Sequence, residues 1–230
     1  IGILGMTPQD ISDLRAADRI RERFAAEGKT AVCYGMGDGL EDVKRVSSVE
    51  KNIVVSPAAL EAAKYLERTY GTPYETGYPL VDELVCDMDY HGKKVLIVQQ
   101  QVIGCAIREE ILKKAPDAQV TVASWFMMKP ELRRDEDLNL RDEEDYIGLV
   151  ENGSYDVIYA DPCMARMTPK FEGVFVDTIH FAVSGKLVTV EAAKKLKEPK
   201  KPRGSKEPDK TDSHEYYDYD RMRPMGEVYE

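Results

Sequence analysis

Between residues 52 and 79 the spacing of apolar positions changes twice. Ile53, Val54 and Val55 form an unbroken apolar run, the pattern of a short strand buried on both faces. Ser56-Pro57 breaks it, and serine followed by proline predicts a helix start: the hydroxyl caps free N–H groups and proline suits the first turn. Ala59, Ala63, Leu66 and Tyr70 then recur at helical spacing, and Gly71 supplies a stop that tolerates a left-handed backbone. Thr72-Pro73-Tyr74 restarts an extended chain. The stretch predicts a βαβ-like unit, whose ligands belong beyond the carboxyl ends of the strands, near Ser56 and near residues 74–79.

The same alternation runs along most of the chain. Residues 1–6 predict a strand, and Ile11, Leu14, Ala17, Ile20 and Phe24 a helix ending at Gly28. Residues 30–34 predict a strand running into the glycine loop Gly35-Met36-Gly37-Asp38-Gly39, with a short helix over 40–46. Residues 80–91 are acidic and lack clear periodicity, although Val81, Leu84 and Val85 suit a short helix. Beyond them KKVLIV (93–98), residues 119–123, YDVIYA (155–160) and residues 174–176 predict strands, with helices over 102–114 and 143–150. Ser184-Gly185 is read as opening a last helix with Val188, Ala192 and Leu196 on one face. Such alternation implies an α/β fold with parallel sheets covered on both sides. The division it suggests is one Rossmann-like domain over 1–80, a linker over 81–92 and a second Rossmann-like domain over 93–196. Residues 197–230 are poor in aliphatic side chains and predict a disordered tail, with a run of Tyr and Asp near its end.

Composition narrows the partners. A net charge of -10 over 230 residues argues against a nucleic-acid-binding face, which needs a basic patch. No apolar run is long enough to cross a bilayer. Four cysteines without a CxxC pair suggest reduced thiols and a cytoplasmic protein. The chain opens at Ile1 inside a strand-like run, so it is read as a fragment.

Several residues carry candidate chemistry, each beside a plainer alternative. Gly37, Asp38 and Gly39 follow a strand and precede a helix, so the backbone there can approach a ligand closely. Asp42 stands where a dinucleotide fingerprint needs its third glycine, so no directly bound nucleotide is expected. His180 lies just past a strand, at the ligand edge of the second domain, where an imidazole can ligate metal or move a proton; the alternative is an ordinary loop histidine. Cys33 and Cys163 sit at strand ends and offer soft thiolate ligands, or simply fill core space. Trp125, Phe126, Met127 and Met128 line an apolar pocket or form interdomain core. The charged residues from 133 to 145 are read as a solvated face.

The ordered set of segments resembles the nitrogenase component 1 oxidoreductases: the molybdenum-iron protein subunits, their cofactor-assembly homologues and the related tetrapyrrole reductases. The likeness rests on Ile3-Leu4-Gly5, Gly37-Asp38-Gly39, the LERTYGTPY core (66–74), Gly92 to Val95, Tyr155 to Ile158 and His180 to Ser184-Gly185. The resemblance implies two stacked Rossmann-like domains around an iron-sulfur-type metallocluster or a tetrapyrrole. It implies a homologous nitrogenase-like subunit, or a second copy, as partner and an ATP-dependent iron protein as electron donor. It places His180 near the histidine that holds the cofactor. The cofactor cysteine falls on Ala31, with Cys33 two residues on and therefore on the same strand face. The cysteines of the bridging cluster belong to an amino-terminal domain outside this chain. The cleft is then expected to be lined by the Met36 to Gly39 loop, Ser56, the turn from Gln99 to Gln101, Ser124 to Phe126 with Trp125 between them, Asp161 to Cys163 and His180. A non-catalytic carrier of a metallocofactor is the alternative function.

Overall fold

The computed structural model describes residues 1–35 and 39–188. Met36, Gly37 and Asp38, and the predicted tail, lie outside the described residues. Two parallel sheets carry the chain. The first contains β1 (Gly2–Met6), β2 (Val32–Gly35), β3 (Asn52–Val54) and β4 (Tyr74–Thr76), in the order β2-β1-β3-β4. Ile3 stands beside Cys33 on one neighbour and Ile53 on the other. The second contains β5 (Lys94–Val98), β6 (Gln119–Ser124), β7 (Leu138–Asn139), β8 (Val157–Ala160) and β9 (Val174–Asp177), in the order β7-β6-β5-β8-β9. Every described pairing is parallel. Parallel neighbours need long crossovers, and helices provide them: α1 (Ala16–Ala26), α2 (Leu40–Lys44), α3 (Leu60–Tyr70), α4 (Gln101–Lys114) and α5 (Glu143–Gly153). A single turn, α6 (Phe181–Ser184), follows β9. No helix among the described residues is long and apolar enough to cross a membrane.

The unit from β3 to β4 forms as its sequence predicts. Ser56 Oγ accepts the Ala58 N–H at 3.1 Å, Pro57 opens a short 3-10 turn, and α3 follows. Leu60, Ala63 and Leu66 are buried on one face, worth about 1.5–3 kcal/mol for each leucine. Gly71 closes α3 at φ 73°, its N–H bonded to the Glu67 carbonyl.

Three details differ from the sequence reading. The first helix begins at Ala16, not near Ile11, because the Asp13 carboxylate accepts the Arg15 N–H at 2.9 Å and holds the chain in a turn. Ile11 is buried before the helix, while Leu14 is 62% exposed. Gly185 closes α6 in the left-handed region, at φ 68°, where the sequence suggested an opening. Its continuation through Ala192 and Leu196 lies outside the described residues. Finally, the charged residues from 133 to 145 are not wholly solvated. Asp137 is fully buried, with Oδ1 accepting from Arg108 Nη1 at 2.5 Å and from the Val122 N–H at 3.0 Å.

One apolar cluster contains Ile3, Ile53 and Val55 of the first lobe and Val95, Ile97 and Val122 of the second. The connecting segment joins it through Leu80, Val85, Cys86 and Tyr90. The Tyr90 and Tyr159 hydroxyls bond to each other, and Tyr159 also accepts the Cys86 N–H at 3.1 Å, which ties that segment to β8.

Candidate functional site

Each sheet has one place where successive crossovers leave in opposite directions, the position where such folds bind ligands. In the first sheet it lies between β1 and β3, in the second between β5 and β8. The loops leaving these strands meet. Gln100, just past β5, donates from Nε2 to the carbonyl of Val55, just past β3, at 2.7 Å. Ser12, in the loop after β1, donates to the Ile179 carbonyl at 3.0 Å and accepts the Phe181 N–H at 2.9 Å. The carboxyl ends of the two sheets therefore share a seam.

His180 sits in that seam, 2% exposed. Its backbone N–H donates to Asp161 Oδ2 at 3.0 Å, so the loop after β8 fixes where the ring lies. Its Nε2 is buried and has no hydrogen-bond partner. Two residues earlier, the hydroxyl of Thr178 is buried and unpaired as well. Burial pushes the imidazole below its ordinary pKa, against the opposing pull of Asp10 and Asp161, so the ring is neutral near pH 7. The Phe126 ring meets it edge to face, with centroids 5.6 Å apart. Ser124 holds Phe126 there: its Oγ accepts the Phe126 N–H at 3.2 Å and donates to the Phe126 carbonyl at 3.0 Å. Met127 follows with a positive φ of 34°.

The first lobe supplies the facing wall. Ser56 Oγ donates to Asp10 Oδ2, and Thr7 Oγ1 donates to the same oxygen at 3.2 Å. Gly5 permits this approach. Its φ is 93°, and a Cβ there would stand 2.9 Å from the Ser56 Cβ. The Asp161 carboxylate is saturated by the His180 N–H, the Ser184 hydroxyl at 2.6 Å and the Cys163 N–H at 3.0 Å, so it positions the loop rather than facing a ligand. Gln99 spans the seam floor, accepting the Gln100 N–H at 2.9 Å and reaching the Ile179 carbonyl from Nε2 at 3.4 Å.

Of the sequence-derived candidates, Ser56, Gln99, Asp161 and His180 come together here. Gln101 is close in sequence but clamps Lys129, donating to its carbonyl at 2.9 Å and accepting its N–H at 2.6 Å. Trp125 donates to the Asp142 carbonyl and packs edge to face on Tyr146, inside the second lobe. Gly39 is exposed at the start of α2. Gly37 and Asp38 lie outside the described residues. Cys33 is buried with its thiol toward the Ala17 carbonyl at 3.7 Å, facing α1. Cys163 packs against the apolar cluster under α5, and burial followed by the Asp161 charge pushes its thiol up to about 12. Asp10, Ser12 and Thr178 went unread in the sequence. Applying the strand-end rule to β1 as well as β3 would have found the first two.

Two cavities, of about 430 and 310 Å³, are lined by neither His180 nor Ser56. The larger lies at the amino ends of β5, β8 and β9, away from the strand tips.

No protein-family model matches the chain, and no curated protein is similar to it in sequence. Among solved structures it is similar to one described as nitrogenase Cp1 at pH 6.5, with a TM-score of 0.52 and 14% identity. The likeness covers 85% of this chain and 57% of that one, so the chain spans little more than half its neighbour's length. The fold is nitrogenase-like. At this identity the likeness concerns the path of the backbone. A structure of D-lactate dehydrogenase with NAD+ from Lactobacillus jensenii overlaps with a TM-score of only 0.24 and 10% identity, covering 69% of this chain and 62% of that one, and carries no argument.

Proposed function

We propose that the chain is a nitrogenase-component-1-like redox subunit that holds a reduced cofactor or substrate, of the metallocluster or tetrapyrrole type, at the seam between its sheets. One observation carries this reading: the buried, unpaired Nε2 of His180, set where both sheets' strand tips meet. A buried polar atom without a partner costs about 1–3 kcal/mol, and a ligand at that atom offsets the cost. A cluster gripped by several thiolates does not fit these residues. Cys33 faces α1, the Cys163 thiol lies against the Asp161 carboxylate, and among the described residues no group of three or more His, Cys, Asp or Glu is placed to hold a metal ion. A group held at one point by imidazole does fit. Such a group supplies the electron chemistry, and the chain supplies orientation and a dry surround. His180 is its ligand or proton donor, Thr178 adds a hydroxyl, and Phe126 covers the ring from the rim. Electrons come from an ATP-dependent iron protein, and a homologous subunit or a second copy completes the enclosure.

A single anchoring imidazole also favours a second reading, a carrier that releases its metallocofactor to another protein. Anaerobic purification with metal analysis, an absorption spectrum and an assay with an iron protein and ATP separates the two. A stoichiometric chromophore with turnover supports the redox subunit, and a transferable chromophore without turnover supports the carrier. A colourless protein overturns both. His180→Ala abolishes retention of the chromophore, and unchanged metal content removes His180 from the role given to it.

A further inference from the structure

The 310 Å³ cavity opens where the lobes meet on another flank. Thr76 and Gly77, at the carboxyl end of β4, form one side, and α4 with the loop around Leu132 forms the other. β4 is an edge strand, so its outer side pairs with no strand among the described residues. Within this cavity one guanidinium stands apart from the ion pairs. Glu109 accepts from Arg134 Nη2 at 2.5 Å, and Glu131 shares the Lys64 ammonium with Glu61, so both carboxylates of the lining are paired. The buried pair of Arg108 and Asp137 cancels in the same way. Arg133 is left over. Its Nε donates to the Asp137 carbonyl at 3.0 Å, and its two terminal nitrogens meet no carboxylate among the described residues. Arg108 lies behind it, buried. Its Nη1 bonds Asp137, its Nη2 meets the Cys105 sulfur at 3.4 Å, and its buried Nε has no hydrogen-bond partner. The Glu109 carboxylate stands 3.9 Å from that Nε, beyond hydrogen-bonding reach.

We infer that this cavity is a binding site for a small organic oxyanion, a phosphate ester or a carboxylate, held by the guanidinium of Arg133, whose two terminal nitrogens have no carboxylate partner among the described residues. A planar guanidinium presents paired donors that match two oxygens of one such group. Val102, Ala106 and Leu132 give the wall an apolar part for a short carbon body. The volume lies at the small end of the range that ligand sites occupy, which excludes a large cofactor. Cys105 also lines the cavity, and burial pushes its thiol up to about 11. It stays protonated at neutral pH, neither repelling an anion nor attacking one, so the site binds rather than reacts. The chain's net charge of -10 disfavours a long polyanion and leaves a small one.

The test is isothermal titration calorimetry on the full chain, with inorganic phosphate and separately with citrate as probes. One-site binding of at least one probe is the expected result. Arg133→Ala, an exposed position, weakens it at least about tenfold, the loss of one charge-assisted fork. Arg133→Lys recovers part of that loss, because a point charge replaces the fork. Phosphate alone assigns an ester, and citrate alone a carboxylate. His180→Ala leaves this affinity unchanged, so the result stands apart from the fate of the seam reading. Absence of heat with both probes, equal affinity in Arg133→Ala, or equal weakening in His180→Ala overturns the proposal.

Discussion

Arg108 and His180 are each 2% exposed, yet the protein treats them in opposite ways. Around Arg108 the chain has built a receptor for its charge: Asp137 is fully buried beside it and is itself held by the Val122 and Arg134 N–H groups. Around His180 the chain fixes the backbone and leaves the ring nitrogen Nε2 without a partner. The first arrangement joins α4, β6 and the loop before β7, and removing either member strands a charge. The second holds together without the imidazole. Burial alone therefore does not distinguish a structural polar group from a chemical one. A buried counter-charge does: Arg108 also leaves its Nε unpaired, yet Asp137 holds its guanidinium in place.

The widest gap between the two sites should appear in Asp137→Ala. It leaves the Arg108 guanidinium buried without its counterion and is expected to cost about 3–5 kcal/mol in chemical denaturation. Arg108→Met with Asp137→Leu should recover most of that loss, and a double variant as unstable as the single would break the comparison. Gly5→Ala, on the first-lobe wall of the seam, comes next at about 1–3 kcal/mol. A side chain there takes a φ of 93° and crowds Ser56. His180→Leu should change stability by less than about 1 kcal/mol in either direction, because an apolar side chain removes an unmet polar group along with some packing. A loss as large as that of Asp137→Ala would show the imidazole to be structural.

The smallest effect is a pH dependence. His180 has a folded pKa below its ordinary value of about 6.5, so between the two values the unfolded chain binds more protons. Its contribution is fully present above about 6.5 and is lost as pH falls through the folded value. A thermal-melting series from about pH 8 to 5, compared with His180→Leu, should show a steeper acid-side decline in the native protein. Identical slopes would place the ring in water rather than in the seam.

Most strands and helices were legible because each is set by local chemistry. The Ser56-Pro57 start and Gly71 stop of α3, and the apolar run of β5, are matched in the structure. The end of α6 at Gly185 was misread because a glycine stops a helix or precedes one according to a backbone angle that the letter does not carry. His180, Ser56, Gln99 and Asp161 could be named as a site because all four follow strand ends. Asp137 could not be read as buried. It stands in the run RRDEDLNLRDEED, and nothing in that run shows that Arg108, 29 residues earlier, needs a counterion there.

By itself the order of residues determined two parallel-sheet lobes and the strand tips at which a ligand would sit, because periodicity and capping act over a few residues. Only the tertiary structure decided that those tips meet, that Cys33 turns toward α1 instead, and that His180 arrives there with a nitrogen unpaired. Those outcomes depend on contacts such as Ser12 with Ile179, 167 residues apart, which no local pattern encodes.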